Sequence, residues 1–201
     1  MKLRNIIIIA LLVLFASVST SVVLSQQSHN LDVVVKTNGT DVQIQTSNLL
    51  FSTAPPSMKI EMEQRALNDV YDDKSSVDSL KNDIKTIAKS YNYTANVKIE
   101  SQFGTDELPM PATVKGTSML PTLQEGQDLI ILKTRDFKVG DIVVARHPQY
   151  GLIVKRVAQI KGSQVYLMSD NREVVVQGNT ISRGLDTWLP ISEVVGVVRE
   201  Y

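Results

Sequence analysis

Ser118 lies in the stretch Val114-Lys115-Gly116-Thr117-Ser118-Met119-Leu120-Pro121-Thr122-Leu123, just past a glycine and shortly before a proline. Gly116 can take backbone conformations closed to other residues. Pro121 fixes its own φ and pushes Leu120 out of the helical region. Such a bend can hold a hydroxyl outward with a backbone N–H beside it, and acyl transfer needs both a nucleophile and a donor for the oxyanion. A Gly-x-Ser turn alone is a weak signal. What gives it weight is Lys155, in the apolar run Leu152-Ile153-Val154-Lys155-Arg156-Val157. Side chains alternate along a strand, so Ile153, Lys155 and Val157 share one face while Val154 and Arg156 share the other. Apolar residues on both faces predict a strand covered on both sides, with Lys155 short of water. Desolvation disfavours the ammonium and lowers its pKa, which makes the amine a usable base for a serine hydroxyl. Without Ser118 upstream, the same lysine would read as a snorkelling or ion-paired surface residue.

The elements that must position these two residues form the second half of the chain. From Thr113 onward the pattern is strand-rich: Asp128 to Leu132, Asp141 to Ala145, Leu152 to Ile160, Gln164 to Met168, Glu173 to Gln177 and Glu193 to Arg199. Short turns such as Lys161-Gly162-Ser163 separate them, which predicts a compact all-β domain over 113–201. Upstream, Leu31 to Lys36 and Asp41 to Gln45 flank Asn38-Gly39, the strongest short-range hairpin signal. Ser57 after Pro55-Pro56 is placed to cap a helix running from Met58 to Tyr71, with Ile60, Leu67, Val70 and Tyr71 on a stripe. A second helix is expected from Ser76 to Tyr91, and a strand from Asn96 to Phe103. Residues 26–104 thus predict a small α+β domain with no catalytic signature, joined by a linker at 105–112 that carries Pro109 and Pro111.

Lys2 and Arg4 precede an apolar run from Ile6 to Phe15 that continues more weakly to Leu24. Its length just reaches what a bilayer span requires, and it also fits a cleavable signal segment. Segment 1–25 is therefore an anchor or a signal segment, and both place the remainder outside the cytoplasm.

Composition narrows the chemistry further. Lys+Arg and Asp+Glu both number 21, for a formal net charge of zero, so nothing points to nucleic acid as a partner. The chain has no cysteine, which excludes a thiol nucleophile, a disulfide framework and thiolate metal sites. With only His29 and His147 available, a histidine-rich zinc site is improbable, and no acidic loop has calcium-binding spacing. No cofactor or metal is expected.

Four blocks, in order, carry a resemblance: Gly116-Thr117-Ser118-Met119-Leu120-Pro121-Thr122, Lys138-Val139-Gly140-Asp141-Ile142-Val143-Val144, Ile153-Val154-Lys155-Arg156-Val157 and Ser169-Asp170-Asn171. Together they resemble the type I signal peptidases, Ser–Lys serine proteases of membranes related to the self-cleaving repressor proteases. The resemblance runs from Thr113 to Val198. It implies Ser118 as nucleophile, Lys155 as general base, and Gly116, Thr117 and Met119 as the loop that shapes the oxyanion site. Asp170 and Asn171 would support that loop. Asp186 would correspond to the family's later aspartate, and Ser182, out of register, to the serine that orients the lysine. His147 falls outside the block where eukaryotic-type members carry histidine, and reads as a loop residue. By the same resemblance the N-terminal run is a retained single-pass anchor in the cell membrane with the catalytic domain extracytoplasmic. The partners would be membrane lipid and the signal peptides of exported preproteins. Two other tasks remain compatible with the residues: a repressor-type protease that cuts its own linker, and a membrane-tethered binding module without activity.

Overall fold

The Asn-Gly signal folds as a hairpin. Strands β1 (His29–Thr37) and β2 (Val42–Ser47) pair antiparallel from Asp32↔Ser47 to Thr37↔Val42. Asn38 Oδ1 closes the turn by accepting from the N–H groups of Thr40 and Asp41, and Gly39 takes the positive φ the turn requires, at 96°. Along β1 the alternation buries Leu31, Val33 and Val35 and leaves Asn30, Asp32 and Lys36 exposed. The computed structural model describes residues 29–47, 54–177, 180–182 and 184–201. Segment 1–25, read above as the anchor or signal segment, lies outside the described residues. Among the described residues no helix is long and apolar enough to cross a membrane.

Helix α1 (Pro56–Tyr71) starts without a side-chain cap. Ser57 does not cap it. Pro56 occupies the first turn instead, where a missing N–H costs nothing because that group has no intrahelical partner. The buried stripe is Met58, Met62, Ala66, Asp69 and Val70. Of the stripe expected from sequence only Val70 is buried, while Ile60, Leu67 and Tyr71 are exposed. The methionines fill the space over the sheet, and Ala66 lets the helix come close. Helix α2 (Val77–Ser90) begins in a capping box, the Ser76 side chain accepting from Ser79 N–H while the Ser79 side chain returns to the Ser76 backbone. It buries Leu80, Ile84 and Ala88.

Strand β3 (Tyr93–Ser101) runs parallel to β1 from His29↔Tyr93 to Thr37↔Ser101, three residues earlier at its start than the pattern suggests. With β4 (Gly104–Thr105) it completes a sheet in the order β2-β1-β3-β4, with α1 and α2 packed on the sheet's apolar side in one core.

The second sheet has seven strands, neighbours all antiparallel: β5 (Pro109–Thr113), β6 (Asp128–Leu132), β7 (Ile142–His147), β8 (Gly151–Lys161), β9 (Gln164–Met168), β12 (Thr187–Pro190) and β13 (Val194–Glu200), in the order β12-β9-β8-β7-β13-β6-β5. A short 3₁₀ turn at Ile191–Glu193 leads into β13. Strands β10 (Val175–Gln177) and β11 (Thr180–Ser182) make a separate hairpin, so the strand expected from Glu173 is shorter, and β12 was not anticipated. Both faces of the main sheet are covered. Val143, Val157, Val165 and Leu167 pack in one cluster, and Met119, Leu123, Leu129, Ile131 and Val144 in another. Gly196 sits at an irregularity of β13 where a Cβ would come within 2.2 Å of the Leu132 carbonyl oxygen, so the close approach of β6 and β13 needs glycine there.

The segment 105–112 is not a free linker. Thr105 belongs to β4, and Pro109 to Ala112 belong to β5 of the second sheet, which therefore begins at Pro109 rather than at 113. Only residues 106–108 connect the sheets. Prolines are tolerated in β5 because it is the sheet's edge strand.

Candidate active site

Ser118 opens the turn that follows β5. Leu120 N–H donates to the Thr117 carbonyl at 3.2 Å and Leu123 N–H to the Met119 carbonyl at 3.0 Å, so the turn closes on itself. Gly116 has φ of 80°, and its N–H donates to Glu125 Oε1 at 3.1 Å, which ties the entry of the turn to its exit. The Met119 side chain is buried in the sheet's core and anchors the turn from beneath. Thr117 is exposed, and its carbonyl is a bonding point of the loop.

Lys155 reaches this turn from β8, where it is paired with Val143 of β7. It is only 4% exposed. Its Nζ donates to Ser118 Oγ at 2.7 Å and to the Val154 carbonyl at 2.9 Å. Burial pushes the Lys155 amine below the ordinary lysine value of 10.5, opposed by the negative charges of Asp186 and Asp170. Two residues 37 positions apart in sequence are thus within proton-transfer distance, with the amine biased toward its neutral form.

The Ser169-Asp170-Asn171 segment braces the Ser118 turn. Asn171 N–H donates to the Ser118 carbonyl at 2.9 Å, and Asn171 Nδ2 donates to the Thr117 carbonyl at 3.1 Å. Asp170 accepts from Arg156 Nε at 2.8 Å and Nη2 at 2.6 Å, and from Thr122 Oγ1 at 2.6 Å. The Arg156 guanidinium holds the Asp170 carboxyl below the usual range against the opposing effect of burial, with Thr122 adding to the lowering. Arg156 also donates to the Gly140 carbonyl at 2.7 Å. The other face of β8 therefore ties the Ser118 turn, through Thr122 and Asp170, to the strand that presents Lys155. Asp186 accepts from Ser169 N–H at 3.1 Å and from Arg172 at 2.6 Å, and Ser169 Oγ donates to the Leu185 carbonyl at 2.9 Å. Gly184 allows this crossing, because a Cβ there would meet Ser169 Cβ at 2.6 Å. The side chain of Ser182 lies outside the described residues.

His147 ends β7 at the hairpin, where its Nδ1 accepts from Gln149 N–H at 3.2 Å and its ring packs against Tyr150. Asp141 accepts from Lys138 N–H and closes the turn before β7.

A cleft of about 630 Å³ opens over Ser118 and Lys155. Val114, Leu129, Val144 and Val154 give it an apolar floor. Tyr71 and Asp73, at and just past the end of α1, line it too, so the α+β region, which sequence assigned no chemistry, contributes to the site. Neither this contribution nor the Arg156–Asp170–Thr122 cluster carries a local sequence signal, since each joins residues far apart in the chain.

A curled antiparallel sheet presenting a serine hydroxyl to a buried lysine defines the class of serine proteases that work without histidine. The family described as Peptidase S24-like matches over residues 82–182, half of the chain, and the chain belongs to that family. The matched span includes Ser118, Lys155, Asp170 and Asn171 and ends at Ser182, short of Asp186. None of the curated proteins matches the chain.

Proposed function

We propose that the chain is a membrane-bound serine endopeptidase of the signal peptidase type, which removes signal peptides from exported preproteins. The observation that carries the catalytic part is the 2.7 Å contact between Lys155 Nζ and Ser118 Oγ with the lysine 4% exposed. The neutral Lys155 amine takes the Ser118 proton as Oγ attacks the scissile carbonyl, then delivers it to the leaving amine. The Ser118 backbone N–H is the first donor to the oxyanion, and with glycine at 116 no side-chain hydroxyl joins it from that position. Asn171 and Asp170 keep the turn in place through the bonds given above. The substrate lies extended along the edge strand β5, with small residues before the cut. The N-terminal apolar run supports the tether and the extracytoplasmic placement of the site.

Membership in the Peptidase S24-like family also keeps the self-cleaving reading in view. Against it stands the bonding of the connecting segment. Asp106 exchanges hydrogen bonds with Ile99 through its N–H and its carboxylate, Leu108 is fully buried, and Pro109–Thr113 is paired with β6. A segment so engaged is a poor extended substrate for its own Ser118.

The test is incubation of the detergent-solubilised protein with a labelled preprotein beside the Ser118→Ala and Lys155→Ala variants. Both variants are expected to stay folded and lose cleavage, and chelators are expected to change nothing. Full activity in either variant would overturn the dyad. Cleavage of the chain itself within 104–113, with the preprotein left intact, would favour the self-processing reading.

A further inference from the structure

The backbone of β5 limits how a substrate can be held. Leu108 accepts from Lys133 N–H, and Val114 both donates to the Gln127 carbonyl and accepts from Gly126 N–H. With the register Met110↔Ile131 and Ala112↔Leu129, the even-numbered residues bond inward to β6. The odd-numbered ones, Pro109, Pro111 and Thr113, therefore face the open edge. Two of these three are prolines and have no N–H to give. A peptide laid on this edge finds a donor at Thr113, close to Ser118, and only carbonyl oxygens farther back. Beyond that point a main-chain ladder cannot hold it, and side-chain contacts must.

The far end of the cleft supplies such contacts. Lys133, the residue paired with Leu108 just before β5, donates to the carbonyls of Asp69 and Asp72, both at 2.7 Å. Arg146 of β7 donates to the Asp73 carbonyl at 2.9 Å and its carboxylate at 3.0 Å. These two cations fix the end of α1 against the second sheet at the end of β5 remote from Ser118. Tyr71 lines the cleft 57% exposed, and Tyr150 and Leu152 of the β7–β8 hairpin, which line it too, are 62% and 49% exposed. Three large, exposed side chains thus line the same cleft as the edge strand whose backbone donors run out.

Resting on the proteolytic reading of the Ser118–Lys155 cleft, we propose that Tyr71 is a specificity-determining residue, which packs on an apolar side chain of the substrate about five residues before the cleaved bond, a reach set by the ~3.3 Å rise of each extended residue along β5. The α+β domain is then one wall of the substrate site. Tyr150 and Leu152 form the facing wall.

The test uses the full chain and three peptides that share the same residues around the cut. One begins at the third residue before the bond. The other two extend to the eighth, with leucine or aspartate at the fifth. Wild type is expected to prefer the long leucine peptide. Tyr71→Ala should lower kcat/KM for that peptide by about tenfold, the size of one lost apolar pocket contact, while leaving the short and aspartate peptides unchanged. Tyr71→Phe should retain the preference. Tyr71 is exposed enough for truncation to be tolerated, and labelling of Ser118 by a small serine-reactive probe at the wild-type rate verifies an intact site. Equal loss on all three peptides, or no loss on any, would overturn the proposal while leaving the dyad standing. Absence of both cleavage and Ser118 labelling in wild type would remove the proteolytic reading and this inference with it.

Discussion

Lys133 sits just past the end of β6 and Lys155 lies within β8, and burial pushes both amines below the ordinary lysine range, Lys133 to about 8. Their surroundings then divide. Lys133 donates to two backbone carbonyls at the end of α1, acceptors that have no proton to offer and that favour a cation at a helix C-terminus. Asp72, Asp69 and Asp73 stand near it and work against the lowering. Lys155 donates to one carbonyl and one hydroxyl, and the hydroxyl can give its proton back. A depressed amine thus marks burial in both places, and only one of them has a proton donor in reach. The partner decides: carbonyls leave Lys133 a docking bolt for the end of α1, whereas the Ser118 hydroxyl gives Lys155 a proton it can take under the proposed mechanism.

The comparison breaks most visibly under truncation. Lys155→Ala or Ser118→Ala should reduce kcat for a peptide substrate by roughly 10⁴-fold or more, as in other enzymes whose nucleophile and base act as a unit. Lys133→Met should leave Ser118 labelling by a serine-reactive probe within a factor of about two, since it alters no group the dyad touches. Comparable loss of labelling in the Lys133 variant would erase the distinction.

Smaller effects sharpen it through stability. On the Lys155 side, Gly184→Ala forces a Cβ onto Ser169 and should destabilise the chain by about 3 kcal/mol in denaturant unfolding, the upper end for overpacking. Activity should fall with it, because Ser169 and Asp186 brace the Asp170–Asn171 segment. On the Lys133 side, Lys133→Met removes two hydrogen bonds from a charged donor and should cost about 2 kcal/mol.

The pH dependence follows from the same group. Between about pH 8 and the ordinary lysine value of 10.5, the unfolded chain keeps on Lys133 a proton that the folded chain has lost. More protons bound to the unfolded state means that this contribution to stability rises with pH across that window. Urea titrations at several pH values should show the rise in wild type and a shallower one in Lys133→Met. The smallest effect belongs to Asp69. It is buried, its Oδ2 has no hydrogen-bond partner among the described residues, and burial raises its carboxyl above the ordinary value. Asp69→Asn should therefore be neutral or stabilising by about 1 kcal/mol, most clearly above the ordinary carboxyl range, where the unfolded chain gives up a proton that burial makes costly to lose.

What sequence makes legible here is what local pattern encodes. The Asn38-Gly39 hairpin, the α2 periodicity and the two-sided apolar strand around Lys155 are short-range signals, and each element forms. The Ser118 turn and the Asp170–Asn171 block are readable as motifs, and the structure brings them together. Features set by distant pairing were hidden. Pro109 and Pro111 looked like a linker because proline is rare in strands, and only the pairing of β5 with β6 on one side makes them edge residues. The buried stripe of α1 differs from the one spacing predicts because Met58, Met62 and Ala66 face the sheet while Ile60 and Tyr71 face out. Tyr71 reaches the cleft only because Lys133 and Arg146, both more than sixty residues downstream, hold the end of its helix. Gly184 gave no signal, since the atom that requires it belongs to Ser169.

The central claim is that Ser118 loses its proton to an uncharged Lys155, and the rate at which a serine-reactive probe modifies Ser118 across pH tests it most directly. The rate should climb with pH through a midpoint below the ordinary lysine value of 10.5, and that limb should disappear in Lys155→Ala. A midpoint at or above 10.5, or the same profile in the variant, would contradict it.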